Sequence, residues 1–234
     1  AGYDVGFRDL VAGDDLLLLG GFGGLGQSAV EFDGDTTIDY EIYTAGLYAT
    51  YGRGGFFVDT VVKGDWLEGA YNGVSTAGED ADFDAAVLGA SLEIGWRQDL
   101  FGDAVFVEPQ AQLSYAHNWT GAFDDAAGET VDLEDGDNLR GRLGGRIGTT
   151  VLAGRTRLGL YFEGNYLHDF FGTQAATVSG LTFKQDPAGD AIELGGGLRV
   201  VDGGGHLALF IDGDYVTGKD QEGVNLVAGL RLSW

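Results

Sequence analysis

The 234 residues contain no cysteine, no methionine and only 2 prolines. Without cysteine there is no disulfide framework, no zinc finger and no iron–sulfur site. Two prolines and the lack of a Gly-X-Y period exclude collagen. Basic residues are scarce: 13 Lys and Arg stand against 37 Asp and Glu, for a formal net charge of −24. That balance excludes nucleic acid as a partner, because a phosphate backbone needs clustered cations. Long apolar runs are also lacking. The longest aliphatic run is Leu16-Leu17-Leu18-Leu19, against the roughly 20 residues a helix needs to cross a bilayer. A helical membrane protein is thereby excluded, whereas a membrane β-barrel, whose signal is alternation, is not. The first residues show no basic, apolar, small-residue leader, so no signal peptide is expected within this stretch.

What is abundant is glycine, at 43 residues, and apolar material, at 44% of the chain. The apolar content excludes a disordered acidic chain. The glycine content disfavours helix throughout. Period-two alternation dominates. Val224, Leu226, Ala228, Leu230, Leu232 and Trp234 oppose Asn225, Val227, Gly229, Arg231 and Ser233. The same pattern recurs over 87–97, 105–115, 139–147, 158–166 and 192–200.

The pattern predicts eleven strands, near 1–8, 15–31, 38–52, 55–70, 84–97, 104–117, 138–151, 155–169, 190–201, 206–217 and 222–234. Connections sort by length. Short ones fall near 9–14, 53–54, 98–103, 152–154 and 202–205; longer ones fall near 71–83, 118–137 and 170–189. Tight turns at one end and larger loops at the other are the pattern of an outer-membrane barrel. The fold class read from the residues is all-β, an antiparallel up-and-down transmembrane barrel with residues 1–234 as one domain.

A membrane barrel turns its apolar face outward and its polar face inward. The apolar face here carries Trp96, Tyr115, Phe162, Tyr166, Tyr215 and Trp234, as interfacial girdles require. The expected lumen-lining residues are Asp59, Lys63, Glu93, Arg97, Glu108, Gln110, Gln112, Arg140, Arg142, Arg146, Glu163, Glu193, Arg199 and Arg231. Both charge signs occur among them, so cross-pairing inside a lumen is expected.

Acidic residues crowd two of the longer connections. Glu79, Asp80, Asp82 and Asp84 mark one, and Asp124, Asp125, Glu129, Asp132, Glu134, Asp135 and Asp137 mark the other. These read as solubilising external loops, with weak divalent-cation binding against lipopolysaccharide as the functional alternative. The segment 132–138 lacks the ligand spacing and terminal Glu of a Ca²⁺ loop. Gly21-Phe22-Gly23-Gly24-Leu25-Gly26 fits G-x-G-x-x-G, but the following residues are strand-like and a nucleotide site needs a helix there. The three histidines, His117, His168 and His206, form no metal-binding spacing, and no cofactor is expected. His168-Asp169 lacks the G-x-S-x-G elbow of a hydrolase. Asp212 and Asp214 share a face as a protease dyad would, but pairing with Arg199 or Arg231 explains them without catalysis.

Several stretches together resemble the C-terminal translocator domain of bacterial autotransporters (type V secretion). They are Ala1-Gly2-Tyr3-Asp4-Val5, Leu17-Leu18-Leu19-Gly20-Gly21-Phe22-Gly23-Gly24, Gly46-Leu47-Tyr48-Ala49-Thr50 and Leu88-Gly89-Ala90-Ser91-Leu92-Glu93. Two more specific ones follow in order: Val107-Glu108-Pro109-Gln110-Ala111-Gln112-Leu113-Ser114-Tyr115 and Leu139-Arg140-Gly141-Arg142-Leu143-Gly144. Gly229-Leu230-Arg231-Leu232-Ser233-Trp234 completes the set, so the resemblance covers essentially the whole chain. It implies a twelve-stranded barrel in the bacterial outer membrane, an upstream passenger and a helix through the pore. Residue 1 aligns near the family's second strand, so the first strand and the pore helix have no counterpart here. Either a strand lies upstream of residue 1, or segment 178–186 supplies one. Leu230, Leu232 and Trp234 resemble the signal read by the outer-membrane assembly machinery.

The resulting expectation is a non-enzymatic translocator barrel that anchors an upstream passenger and exports it to the cell surface. Outer-membrane lipid, lipopolysaccharide and the assembly machinery are its expected partners. The alternative is a passive small porin or structural barrel without a passenger. A third reading, a lipid- or peptide-hydrolysing barrel, has no motif to support it.

Overall fold

A computed structural model describes residues 1–11, 13–32, 36–72, 80–101, 104–121, 123–124, 130–133, 135–172, 174–178, 181–185, 189–219 and 221–233. Among these residues there is no helix. The strands in chain order are β1 (Gly2–Arg8), β2 (Asp15–Phe32), β3 (Thr36–Arg53), β4 (Phe56–Asn72), β5 (Asp80–Trp96) and β6 (Gln98–Leu100). They continue with β7 (Val105–Thr120), β8 (Phe123–Asp124), β9 (Thr130–Leu133), β10 (Gly136–Ala153) and β11 (Thr156–Gly172). The last are β12 (Gln174–Val178), β13 (Leu181–Gln185), β14 (Asp190–Val201), β15 (Leu207–Gly218) and β16 (Glu222–Leu232).

The main sheet runs β1-β2-β3-β4-β5-β7-β10-β11-β14-β15-β16, with short β6 paired to β7. Every neighbouring pair along it is antiparallel. These eleven long strands are the ones the alternation predicts, shifted by a few residues at their ends. β2 and β3 pair along all 18 residues of each. At about 3.4 Å per residue that is close to 60 Å, well beyond the 9–11 residues a tilted strand needs to cross a bilayer. The long strands therefore continue past the apolar band. This is why Asp82 and Asp84 lie in β5 rather than in a loop as the charge cluster suggests.

The short-turn end is held by specific chemistry. Arg53 and Phe56 pair across Gly54 and Gly55, whose φ values are +55° and +89°. A two-residue hairpin of type I′ has positive φ at both central positions, which glycine adopts without strain. In the first turn the Asp15 carboxylate accepts from the amides of Leu10 and Val11 at 2.8 and 2.9 Å. In the last, Asp202 accepts from Gly204 and Leu207 at 3.0 and 2.7 Å.

At the opposite end β8, β9, β12 and β13 form a separate four-stranded sheet in the order β13-β12-β9-β8. The alternation does not reveal these strands, which are two to five residues long. Within segment 178–186 the described residues are not an additional barrel strand: Leu181–Gln185 pairs with β12, which ends at Val178, in this second sheet. The Gly21–Gly26 motif lies inside β2, without a following helix.

The burial pattern is inverted relative to a soluble sandwich. Val224, Leu226, Leu47 and Leu143 are 77%, 72%, 70% and 66% exposed. Buried residues include Asp15, Asp65, Gln110, Asn165 and Asp169. On the polar face seven aromatic rings each lie directly opposite a glycine of the next strand. The pairs are Phe22–Gly46 and Tyr48–Gly20, Phe57–Gly95 and Phe83–Gly69, Phe106–Gly148, Tyr161–Gly197 and Phe210–Gly229. A Cβ at any of these glycines would strike the opposing ring. The glycines are therefore the slots into which the rings pack, and this accounts for part of their abundance.

Candidate functional site

Alternation along each strand sends every second side chain to one face. Thirteen of the fourteen residues expected from the sequence to line a lumen have that polar-face parity in the registers, and Arg97, just past the end of β5, covers the polar-face ring of Phe106. Contacts between non-adjacent strands show that this face is concave. Arg140 Nη2 donates to Gln221 Oε1 at 3.4 Å, joining β10 to the residue before β16. Tyr161 Oη donates to Asp212 at 2.6 Å, across β14.

Arg142 sits at the centre. Its Nη2 donates to Glu93 Oε2 at 2.5 Å and its Nη1 to Glu193 Oε1 at 3.4 Å. It ties β5 to β14 across β7, β10 and β11. Gln112 adds a donor to Glu93 at 3.3 Å, and Asn165 one to Glu193 at 2.6 Å. A single guanidinium carries several fixed donors, which is what serving two carboxylates requires.

Arg146 donates to Glu163 at 2.7 Å and lies 3.9 Å from Glu108. Gln110 donates to Glu108 at 2.7 Å. Arg140 grips Asp169 with two bonds, at 2.6 and 2.8 Å, the strong bidentate form. Lys63 and Thr44 both donate to Asp65, at 2.7 and 2.6 Å, and Thr50 donates to Asp59 at 2.6 Å. Arg97 pairs with Asp99 at 3.2 Å and covers the Phe106 ring at 3.7 Å. Arg231 reaches Asp4 at 2.7 Å.

One expectation fails in detail. Asp212 and Asp214 do not pair with Arg199 or Arg231. Asp212 accepts from Tyr161 and Asp214 from Asn225, the latter at 2.8 Å. Each long cation answers to carboxylates that the sheet curvature brings within reach, and linear spacing does not encode this. His168 and Asp169, adjacent on the strand, face opposite ways, and His168 meets Asp190 instead.

Other polar-face residues escaped the alternation analysis: Asp4, Tyr48, Asp65, Tyr161 and Asp169. Their inward direction follows from parity, but their partners lie one to two strands away. On the apolar face at the long-loop end, a Tyr-x-His-x-aromatic pattern occurs twice, at Tyr115/His117/Trp119 and Tyr166/His168/Phe170. His117 and Tyr115 meet Asp137, the former at 2.9 Å. His168 and Tyr166 meet Asp190 at 2.7 and 2.5 Å. Among the described residues no group of three or more His, Asp or Glu side chains is arranged to hold a metal. Leu230 and Leu232 lie outward on β16, 64% and 59% exposed; Trp234 is outside the described residues.

A strand order running around one curved sheet, apolar outside and ion-paired inside, is shared with known proteins. The sequence profile of the autotransporter beta-domain matches residues 1–214. The chain belongs to the autotransporter β-domain family. It is similar to the pertactin autotransporter of Bordetella bronchiseptica, at 32% identity over the whole chain and 26% of that protein. It is also similar to the probable autotransporter YcgV of Escherichia coli, at 26% identity over the whole chain and 26% of that protein. The chain thus spans about a quarter of the length of these relatives. Among solved structures, the beta domain of the Bordetella autotransporter BrkA superposes with a TM-score of 0.81 at 26% identity, covering all of this chain and 88% of that one. The transport unit of Escherichia coli AIDA-I shares the fold, with a TM-score of 0.78 at 16% identity and coverage of 100% and 80%. The autotransporter β-domain is an outer-membrane translocator barrel, and in this family the barrel is not the catalytic part.

Proposed function

We propose that residues 1–234 act as one outer-membrane barrel domain that exports a passenger attached upstream of residue 1 and then anchors it. The observation that carries the reading is the inversion of faces: long apolar side chains outside, and a connected ion-pair network inside. In this reading the concave face is the lumen. Asp59, Lys63, Glu93, Arg97, Glu108, Gln110, Gln112, Arg140, Arg142, Arg146, Glu163, Glu193, Arg199 and Arg231 are its hydrated wall. Most of the wall's charges are paired locally, so a threaded segment meets a polar, hydrated surface rather than an apolar one on which to stick.

The same reading assigns the outward residues. Leu230 and Leu232 on β16, with Trp234, form the segment that the outer-membrane assembly machinery reads. The external rim, with Tyr115, His117, Tyr166 and His168 outward, meets lipopolysaccharide. The barrel performs no catalysis of its own.

The test is surface display. A folded reporter fused upstream of residue 1, behind a secretion leader, should reach the cell surface and become protease-accessible in intact cells. The barrel should run faster unboiled than boiled on a gel. A heat-modifiable barrel whose reporter stays inside the cell would favour a passive porin-like barrel. A chain that stays soluble without detergent would end the membrane reading.

A further inference from the structure

Most cations of the polar face are committed to carboxylates, which makes the exceptions informative. The side chains of Arg199 on β14 and Arg157 on β11 make no hydrogen bond or ion pair among the described residues. Both have inward parity: Gly159 pairs with Arg199, and Arg157 with Val201. They are therefore diagonal neighbours on one face, roughly 7–8 Å apart at the backbone and within reach of each other's long side chains. Two unpartnered guanidiniums side by side repel. In a chain with 37 acidic residues a carboxylate partner was available to sequence, yet none is placed there.

Beside Arg199 the polar face is open, and Arg157 stands at the edge of that opening by register. Gly159 leaves an open notch, where a Cβ would sit 3.9 Å from Arg199 Cβ and 3.9 Å from Thr150 Oγ1. The notch opens into a chamber of about 550 Å³ lined in part by Arg97, Arg146, Thr150, Arg199 and Arg231. Its two carboxylates are already engaged: Glu108 by Gln110 and Asp212 by Tyr161. Three of its four guanidiniums are paired, Arg97 with Asp99, Arg146 with Glu163 and Arg231 with Asp4, which leaves Arg199 as the uncommitted cation at the short-turn end of the sheet.

We propose that Arg157 and Arg199, with the Thr150 hydroxyl over the Gly159 notch, form an oxyanion-binding site at the periplasmic mouth of the lumen. Its ligand is a carboxylate or phosphate group, held by paired N–H donors that match its oxygens. The group comes either from an acidic side chain of the segment threaded through the barrel or from free periplasmic phosphate. The placement at the lumen mouth rests on the translocator reading.

The test is arginine modification by phenylglyoxal, read residue by residue by mass spectrometry. It uses folded protein in detergent, both as the chain of residues 1–234 and as the full-length gene product. Millimolar inorganic phosphate slowing modification of Arg157 and Arg199 severalfold, with the half-protecting concentration raised at least tenfold at Arg157 in R199Q, supports the site with a free oxyanion. Protection in the full-length protein without phosphate, lost in the 1–234 chain, supports a side-chain carboxylate. Rapid modification of both arginines in both proteins, unaffected by phosphate, overturns the proposal. Heat-modifiable mobility is recorded on every sample. If wild type lacks it, the barrel reading fails; if it is present and protection is absent, only the oxyanion site fails.

Discussion

Arg231 on β16 donates to Asp4 on β1 at 2.7 Å, across a sequence separation of 227 residues. The strands that carry them are the two ends of the main sheet's order and share no backbone ladder among the described residues. Asp4 also accepts from Tyr48 on β3 at 2.6 Å. Side chains rather than main chain thus bring the first and last strands together.

That bridge is half exposed on the arginine side, so its contribution is screened and modest, about 0.5–1 kcal/mol. Asp4→Asn and Arg231→Gln should each lower slightly the temperature at which the compact gel band is lost. The double variant should be no worse than either single one. Additive losses in a double-mutant cycle would show that the two groups do not interact.

Replacing Arg142 by leucine leaves Glu93 and Glu193 without their shared cation. The cluster is part-exposed, so losing its charged hydrogen bonds costs about 1–3 kcal/mol. Leu143→Ile, one residue away and facing outward, should cost less than about 1.5 kcal/mol. Urea unfolding in detergent, followed by the gel shift, separates the two. Equal, small effects would count against the facing assignment.

The aromatic–glycine pairs predict steric sensitivity. Gly46→Ala drives a methyl into the Phe22 ring and toward the Val62 carbonyl, and overpacking of this kind costs about 1–3 kcal/mol. Adding Phe22→Leu should recover part of the loss. No recovery would mean that the backbone contact, not the ring, sets the limit.

The outer face should reject charge. Leu226→Arg, near the middle of β16, should destabilise the inserted barrel by about 2–4 kcal/mol. Asn225→Arg, on the opposite face of the same strand, should be tolerated. Reversed sensitivities in a folding titration into vesicles would invert the barrel.

The turn after β14 has its own pH dependence. Amide donation from Leu207 and Gly204 holds the Asp202 carboxyl below the usual carboxylate range. A depressed folded pKa stabilises the turn above the unfolded value, about 3.9, and this stability is lost as pH falls through the folded value. Asp202→Asn should remove that acid-sensitive component while leaving neutral-pH mobility unchanged. It can be read as hydrogen exchange at Gly204 and Leu207 between neutral and acidic pH.

Much of the scaffold was legible beforehand because a half-exposed strand writes its two faces into the sequence at period two. The runs ending in Leu232, Trp96 and Tyr166 carried strand position and facing together. The short strands β8, β9, β12 and β13 were not legible. Two to five residues are too few for a period, and their pairing is with one another rather than with the wall. The partners of Arg142 and Asp212 were also illegible, because a long side chain chooses among groups two strands away.

The sequence by itself determined the all-β class, the eleven long strands and the sorting of turns. It also determined which residues face which way, since alternation and turn chemistry are local. Only the tertiary structure decided which charges meet, which glycine receives which ring, and that Asp4 and Arg231 close on each other. Those depend on register and curvature, which bring together residues that no local pattern connects.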